Sequence, residues 1–81
     1  MAMTPLEFQQ KYRNYRTDSM VEAGREARRI KLTEGEAVAV ELPPDGYYVI
    51  LRSAAEIVVE MNRENGARLV GIEAAEPHKR R

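Results

Sequence analysis

Ala37-Val38-Ala39-Val40-Glu41-Leu42, then Pro43-Pro44-Asp45-Gly46, then Tyr47-Tyr48-Val49-Ile50-Leu51-Arg52 is the stretch on which the fold turns. Two runs rich in β-branched and aromatic residues flank a segment of proline, aspartate and glycine, which reads as a β-hairpin. Pairing Leu42 with Tyr47 sets Val40 opposite Val49 and Val38 opposite Leu51. Val38, Val40, Leu42, Tyr47, Val49 and Leu51 then share one apolar face, because side chains alternate along a strand. The other face carries Ala39, Tyr48 and Ile50, interrupted by Glu41. Such a strip is either covered by a helix or offered to a partner or second subunit, so Ala39, Tyr48 and Ile50 are the candidate protein interface.

On the N-terminal side, Thr4-Pro5-Leu6-Glu7 has the pattern of a helix start. Threonine at the N-cap accepts a backbone N–H, proline at the first helical position forfeits no bond, and glutamate at the third closes a capping box. Phe8, Tyr12 and Tyr15 follow at spacings of four and three and share a face. Thr17-Asp18-Ser19 interrupts the pattern, and Ser19 with Glu22 offers a second capping box for a segment reaching about Arg29. One long helix and a pair of helices both fit the apolar spacing, and the interruption favours a pair or a kinked helix.

On the C-terminal side, Ser53-Ala54-Ala55-Glu56 is a third capping-box pattern, and Ala54, Ile57, Val58, Met61 and Asn65 recur at helical spacing. Asn65-Gly66 would stop that helix, leaving Ala67 to Glu73 as a third strand. A rival reading makes Ile57 to Asn62 a strand that turns at Glu64-Asn65-Gly66, supported by the β-branched trio Ile57-Val58-Val59. The cap pattern and the longer stripe favour the helix. The expected architecture is therefore α+β, in the order αα-β-β-α-β, with a small three-stranded sheet whose third strand can run either way. Residues 4–76 form the single domain, residues 1–3 are a flexible or vector-derived lead-in, and residues 77–81 are a basic mobile tail.

Eighty-one residues make one domain with a thin stability margin, and the absence of cysteine removes disulfides as a remedy. Zinc of the usual structural kind is excluded by a single histidine and no thiolate. No cofactor motif occurs. A core shared with a second copy is the remaining route to stability, so homo-oligomerisation is expected. The N-terminus lacks a secretory pattern, and the longest apolar run, Tyr47 to Leu51, is too short to span a membrane. A cytoplasmic, non-membrane protein is expected.

The formal net charge is zero, yet residues 1–32 carry a net +3, residues 33–76 a net −6 and the last five residues +3. Catalysis finds little support. Ser19 and Ser53 stand at cap positions, and His78 lies in the tail without a rigid shell to orient it. Glu34, Glu36, Glu41 and Glu56 read as a solvated acidic surface rather than as paired catalytic carboxylates. The expected function is thus a non-catalytic protein-interaction module (adaptor, inhibitor or regulatory subunit) that self-associates or meets an acidic partner. The alternative is a nucleic-acid-binding regulator. Lys11, Arg13, Arg16, Arg25, Arg28 and Arg29, with Lys79, Arg80 and Arg81 in the tail, would neutralise phosphates, and Tyr12 and Tyr15 would stack on bases or supply a helix–turn–helix. Against it stand a near-neutral isoelectric point of about 6.6 and the shared stripe of Phe8, Tyr12 and Tyr15, which favours packing.

Overall fold

The computed structural model describes residues 1–70. The end of the expected third strand, residues 71–73, and the basic tail with Lys79, Arg80 and Arg81 lie outside the described residues. The described chain is α+β, with helices α1 (Pro5–Tyr12) and α2 (Met20–Arg29), strands β1 (Ala37–Leu42) and β2 (Gly46–Leu51), helix α3 (Arg52–Met61), a 3-10 turn (Arg63–Asn65) and strand β3 (Arg68–Val70). The sheet is antiparallel in the order β2-β1-β3, so β1 is central and β2 is an edge.

α1 opens with a reciprocal capping box. Thr4 Oγ1 accepts the Glu7 N–H at 3.1 Å, and Glu7 Oε1 accepts the Thr4 N–H at 2.9 Å. Met3, expected outside the domain, is tied to it, since its N–H donates to Lys31 C=O and its C=O accepts from Thr33, both at 3.0 Å. Ser19 caps α2 by accepting the Glu22 N–H, but the box is not reciprocal. Glu22 instead accepts the Thr17 hydroxyl at 2.8 Å. Two helices are therefore present. A helix–turn–helix is not, because residues 13–19 separate them and Thr17 is drawn onto β2, exchanging two backbone bonds with Tyr47.

The hairpin forms with a register one residue away from the expected one. Leu42 pairs with Gly46, Val40 with Tyr48, Ala39 with Val49 and Ala37 with Leu51. A one-residue slip exchanges the faces. Ala37, Ala39, Tyr47, Val49 and Leu51 pack with Phe8, Tyr12, Ala23 and Ala27 under α1 and α2. Val38, Val40, Leu42, Tyr48 and Ile50 face the opposite way, toward α3. Both faces are covered, so apart from Glu41 both strands are apolar on either face, and alternation could not select the register. What does select it is Gly46, at φ +137°. A Cβ there would lie 2.9 Å from the Thr17 carbonyl oxygen, so glycine lets residue 46 join β2 while Thr17 approaches its edge. The Pro43–Pro44 peptide is cis, and Asp45 N–H donates to Leu42 C=O across the turn at 2.9 Å.

α3 is a helix, as the cap pattern and stripe indicated, but it begins one residue early. Leu51 is its N-cap and Arg52 its first residue, with Arg52 N–H held by Glu36 C=O at 2.9 Å, so Ser53 caps nothing. Its sheet-facing side is centred on Ala55, which is fully buried, with Val58, Val59 and Asn62 half-buried beside it. Asn62 Nδ2 closes the end by donating to Val58 C=O at 2.8 Å, and Gly66, at φ +91°, turns the chain toward β3. β3 pairs with β1 through Val70 and Ala39, Leu69 and Val40, and Arg68 and Glu41. It runs parallel to β2 with β1 between them, and α3 makes the connection. Among the described residues no helix is long and apolar enough to cross a membrane.

Candidate interaction surface

β2 is paired on one side only. On its open side Tyr47 is taken by Thr17, and both the N–H and the C=O of Tyr47 are used there. Backbone direction alternates along an antiparallel strand, so Tyr48 and Ile50 bond to β1 while Val49 and Leu51 turn outward. Among the described residues neither Val49 nor the Leu51 N–H has a backbone partner at that edge, but Val49 is 1% exposed, so of these two only the half-buried Leu51 reaches the surface.

The open edge lies at the bottom of a groove of about 220 Å³. One wall is α1, through Phe8, Gln9, Tyr12 and Arg13, and the other is α3, through Ala54 and Val58. Ile57 and Met61 stand one turn along from Ala54 and Val58 on the same side of α3, and are 61% and 78% exposed. Leu6, 63% exposed, shares with Gln9 and Arg13 the side of α1 that borders the groove. Leu6, Ile57 and Met61, the most exposed large apolar side chains of α1 and α3, are not among the residues that line the groove.

Of the three residues expected at the interface, two are here. Tyr48 and Ile50, half-buried, lie on the α3 side of the edge. Ala39 is not. The shifted register places it opposite Val49 on the other face, 1% exposed in the core beneath α1 and α2. The groove is also lined by residues that sequence reasoning assigned elsewhere or passed over: Val49 and Leu51 of β2, and Ala54 and Val58 of α3. A signal for the latter exists in the sequence. Ala55, Val59 and Asn62 run beside Ala54, Val58 and Met61, so α3 is apolar around too much of its circumference for one sheet to cover.

The basic residues of the nucleic-acid reading are dispersed. Arg13 lines the groove. Arg16 is bound to its own surroundings, Nε donating to Asp45 C=O at 2.7 Å and its guanidinium paired with Asp18 at 2.5 Å. Lys11 Nζ sits 5.9 Å from the centre of the Tyr12 ring. Arg25, Arg28 and Arg29 are exposed on α2, with Arg29 paired to Glu26 at 2.6 Å. The aromatic residues are not a stacking platform. Phe8 and Tyr12 stack in the core at 5.0 Å, and Tyr15 leans on Tyr12 at 5.6 Å. The Tyr12 hydroxyl donates to Glu26, and burial followed by that bond pushes its pKa up to about 12. Glu26 is held below the usual carboxylate range, first by the Arg29 hydrogen bond and then by the Tyr12 one. The Tyr15 hydroxyl is buried without a hydrogen-bond partner among the described residues, and burial raises its pKa.

The acidic residues separate as well. Glu41 pairs with Arg68 across the sheet at 2.7 Å, and Tyr47 Oη reaches its other oxygen at 3.5 Å. Glu34, Glu36 and Glu56 border a hollow of about 600 Å³ at the end of the sheet, which Pro5, Leu51 and Arg52 also line. Arg52 pairs with Glu36 there at 2.9 Å. Among the described residues no group of three or more histidines, cysteines or carboxylates is arranged to hold a metal ion. No family model, no curated protein and no solved structure matches this chain.

Proposed function

We propose that the chain is a non-catalytic protein-interaction module that accepts an apolar segment of a partner in the groove between α1 and α3, beside β2. The observation that carries this reading is the groove itself: Tyr48, Ile50 and Leu51 of the edge strand, each half-buried, line it together with Ala54 and Val58. Sheet edges left open are ordinarily blunted by charged side chains, proline or a covering loop. Here the loop at Thr17 covers only the start of β2, and residues 48–51 carry no charge. An apolar segment seated between the two helices suits this arrangement, its side chains supplying affinity and the shape of the walls supplying selectivity. Arg13 would fix the charge of the segment lying beside α1.

The test is site-specific photo-crosslinking in the native host. A benzophenone amino acid placed at position 61, beside the groove, is expected to trap a discrete protein adduct. The same group at position 25, on the outward side of α2, serves as the control. Crosslinks from position 25 and none from position 61 would sink this reading.

A further inference from the structure

Resting on the reading of the groove between α1 and α3 as a docking site, we infer that its occupant is an acidic peptide segment of a partner protein. Apolar side chains of the segment enter beside Ile50, Ala54 and Val58, and an Asp or Glu next to them pairs with Arg13 on the α1 wall.

Size selects a peptide. The groove holds about 220 Å³, below the roughly 300–1,000 Å³ of sites that enclose a cofactor or drug-sized ligand. At roughly 30 Å³ for each water-sized group it has room for about seven such groups, which is one or two apolar side chains. Ile50, Leu51, Ala54 and Val58 are each half-buried, so they keep apolar surface that such side chains would cover. An anchor of this kind, seated in a small apolar pocket, is how a few residues carry most of the affinity of a protein contact.

Charge selects an acidic one. Arg13 is the sole charged residue lining the groove, and no carboxylate lines it. Arg13 is exposed and has no ion-pair partner among the described residues. The Leu51 N–H, without a backbone partner at the β2 edge, is a second donor in the same groove. Both groups donate and neither accepts, so the acceptors must come from the occupant. The surroundings place them. Lys11 adds a second positive charge to α1, and the carboxylate of Glu7 is already engaged by the Thr4 N–H at 2.9 Å. α3 carries Glu56 and Glu60 outside the groove, so an acidic side chain of the partner belongs on the α1 side and the apolar ones on the α3 side. A basic residue in the acidic position would face Arg13 directly. A nucleic acid would need a row of cations to follow its phosphates, and the groove supplies one.

The experiment pans a phage-displayed library of random peptides on the full chain. Synthetic copies of the selected peptides are then titrated by fluorescence anisotropy against the wild type, Arg13→Glu, Arg13→Lys and Ala54→Gln. Circular dichroism checks that each variant is folded. The selected peptides are expected to carry Asp or Glu beside apolar residues. Arg13→Glu should weaken their binding by about fivefold or more at low salt, with the loss shrinking as salt rises. Arg13→Lys keeps the charge and should retain most of the affinity. Changing the acidic residue of the peptide to lysine should restore binding to Arg13→Glu and weaken binding to the wild type. Ala54→Gln fills the apolar seat without altering charge and should weaken every selected peptide. Peptides that depend on Ala54 but bind Arg13→Glu as well as the wild type would overturn the acidic partner and leave the groove standing as a docking site. An empty selection, or peptides indifferent to Ala54→Gln, would overturn both.

Discussion

Gly46 shows how one residue can set the geometry of the edge. Its φ of +137° is poorly accessible to any residue with a side chain, and the Thr17 carbonyl oxygen occupies the place where a Cβ would go. Gly46→Ala is therefore expected to cost about 1–3 kcal/mol, measured by urea unfolding, through strain and through loss of the Thr17–Tyr47 pairing. Tyr12 gives a second residue-level expectation, in pH. Its folded pKa, about 12, is above the ordinary value near 10, so the folded state retains a proton that the unfolded state has released between those two pH values. Stability is then fully present below pH 10 and falls as pH rises toward 12, by at most about 2–3 kcal/mol. Tyr12→Phe should flatten that alkaline limb in pH-dependent thermal unfolding, and an unchanged limb would assign it elsewhere. Glu26 acts at the other extreme. Its lowered pKa makes its contribution present above the ordinary carboxylate range and lost as pH falls through the folded value.

At the level of elements, α3 separates two kinds of apolar residue that its sequence presents alike. Ala55 is fully buried against the sheet, whereas Ile57 and Met61 are exposed. Ala55→Leu should overpack the sheet and destabilise the domain by about 1–3 kcal/mol. Ile57→Lys with Met61→Lys should leave the dilute monomer within roughly 0.5 kcal/mol of the wild type, since neither side chain contributes to the core. Chemical denaturation of both variants at low concentration checks the contrast. The same helix shows why part of the fold was legible in the sequence. Caps at Thr4 and Ser19 and the turn at Pro43-Pro44-Asp45 are local devices, and local chemistry suffices to find them. Register and stripe assignment are tertiary matters. The alternation puts Val38 and Val40 on one face with Val49 and Leu51, whereas the register shifted at Gly46, where Thr17 approaches, sets Ala39 with Val49 under α1 and α2 and leaves Val40 buried on the other face. Of the interface expected on the hairpin, Tyr48 and Ile50 lie at the open edge and Ala39 does not, for that one reason.

For the whole molecule, size couples folding to association. A chain of 81 residues without cysteine has only its core to hold it, and the fully buried large side chains of the described residues are Phe8, Val40 and Val49. Phe8→Ala should cost about 3–5 kcal/mol, which approaches the entire stability expected of so small a domain. Any process that binds only the folded chain adds to that margin by mass action. Self-association through exposed apolar side chains of the folded chain is such a process, because the unfolded chain does not assemble that surface. The unfolding temperature of the wild type should therefore rise with protein concentration, as it does when the folded state is a dimer and the unfolded state a monomer. The Ile57→Lys, Met61→Lys variant supplies the comparison, since its substitutions lie outside the core and remove the exposed apolar side chains of α3. Its unfolding temperature should be lower than that of the concentrated wild type and independent of concentration. Differential scanning calorimetry over a hundredfold dilution series distinguishes the cases. Parallel concentration dependence in both proteins would place self-association away from Ile57 and Met61, whereas flat curves in both would mean that the core alone carries the fold.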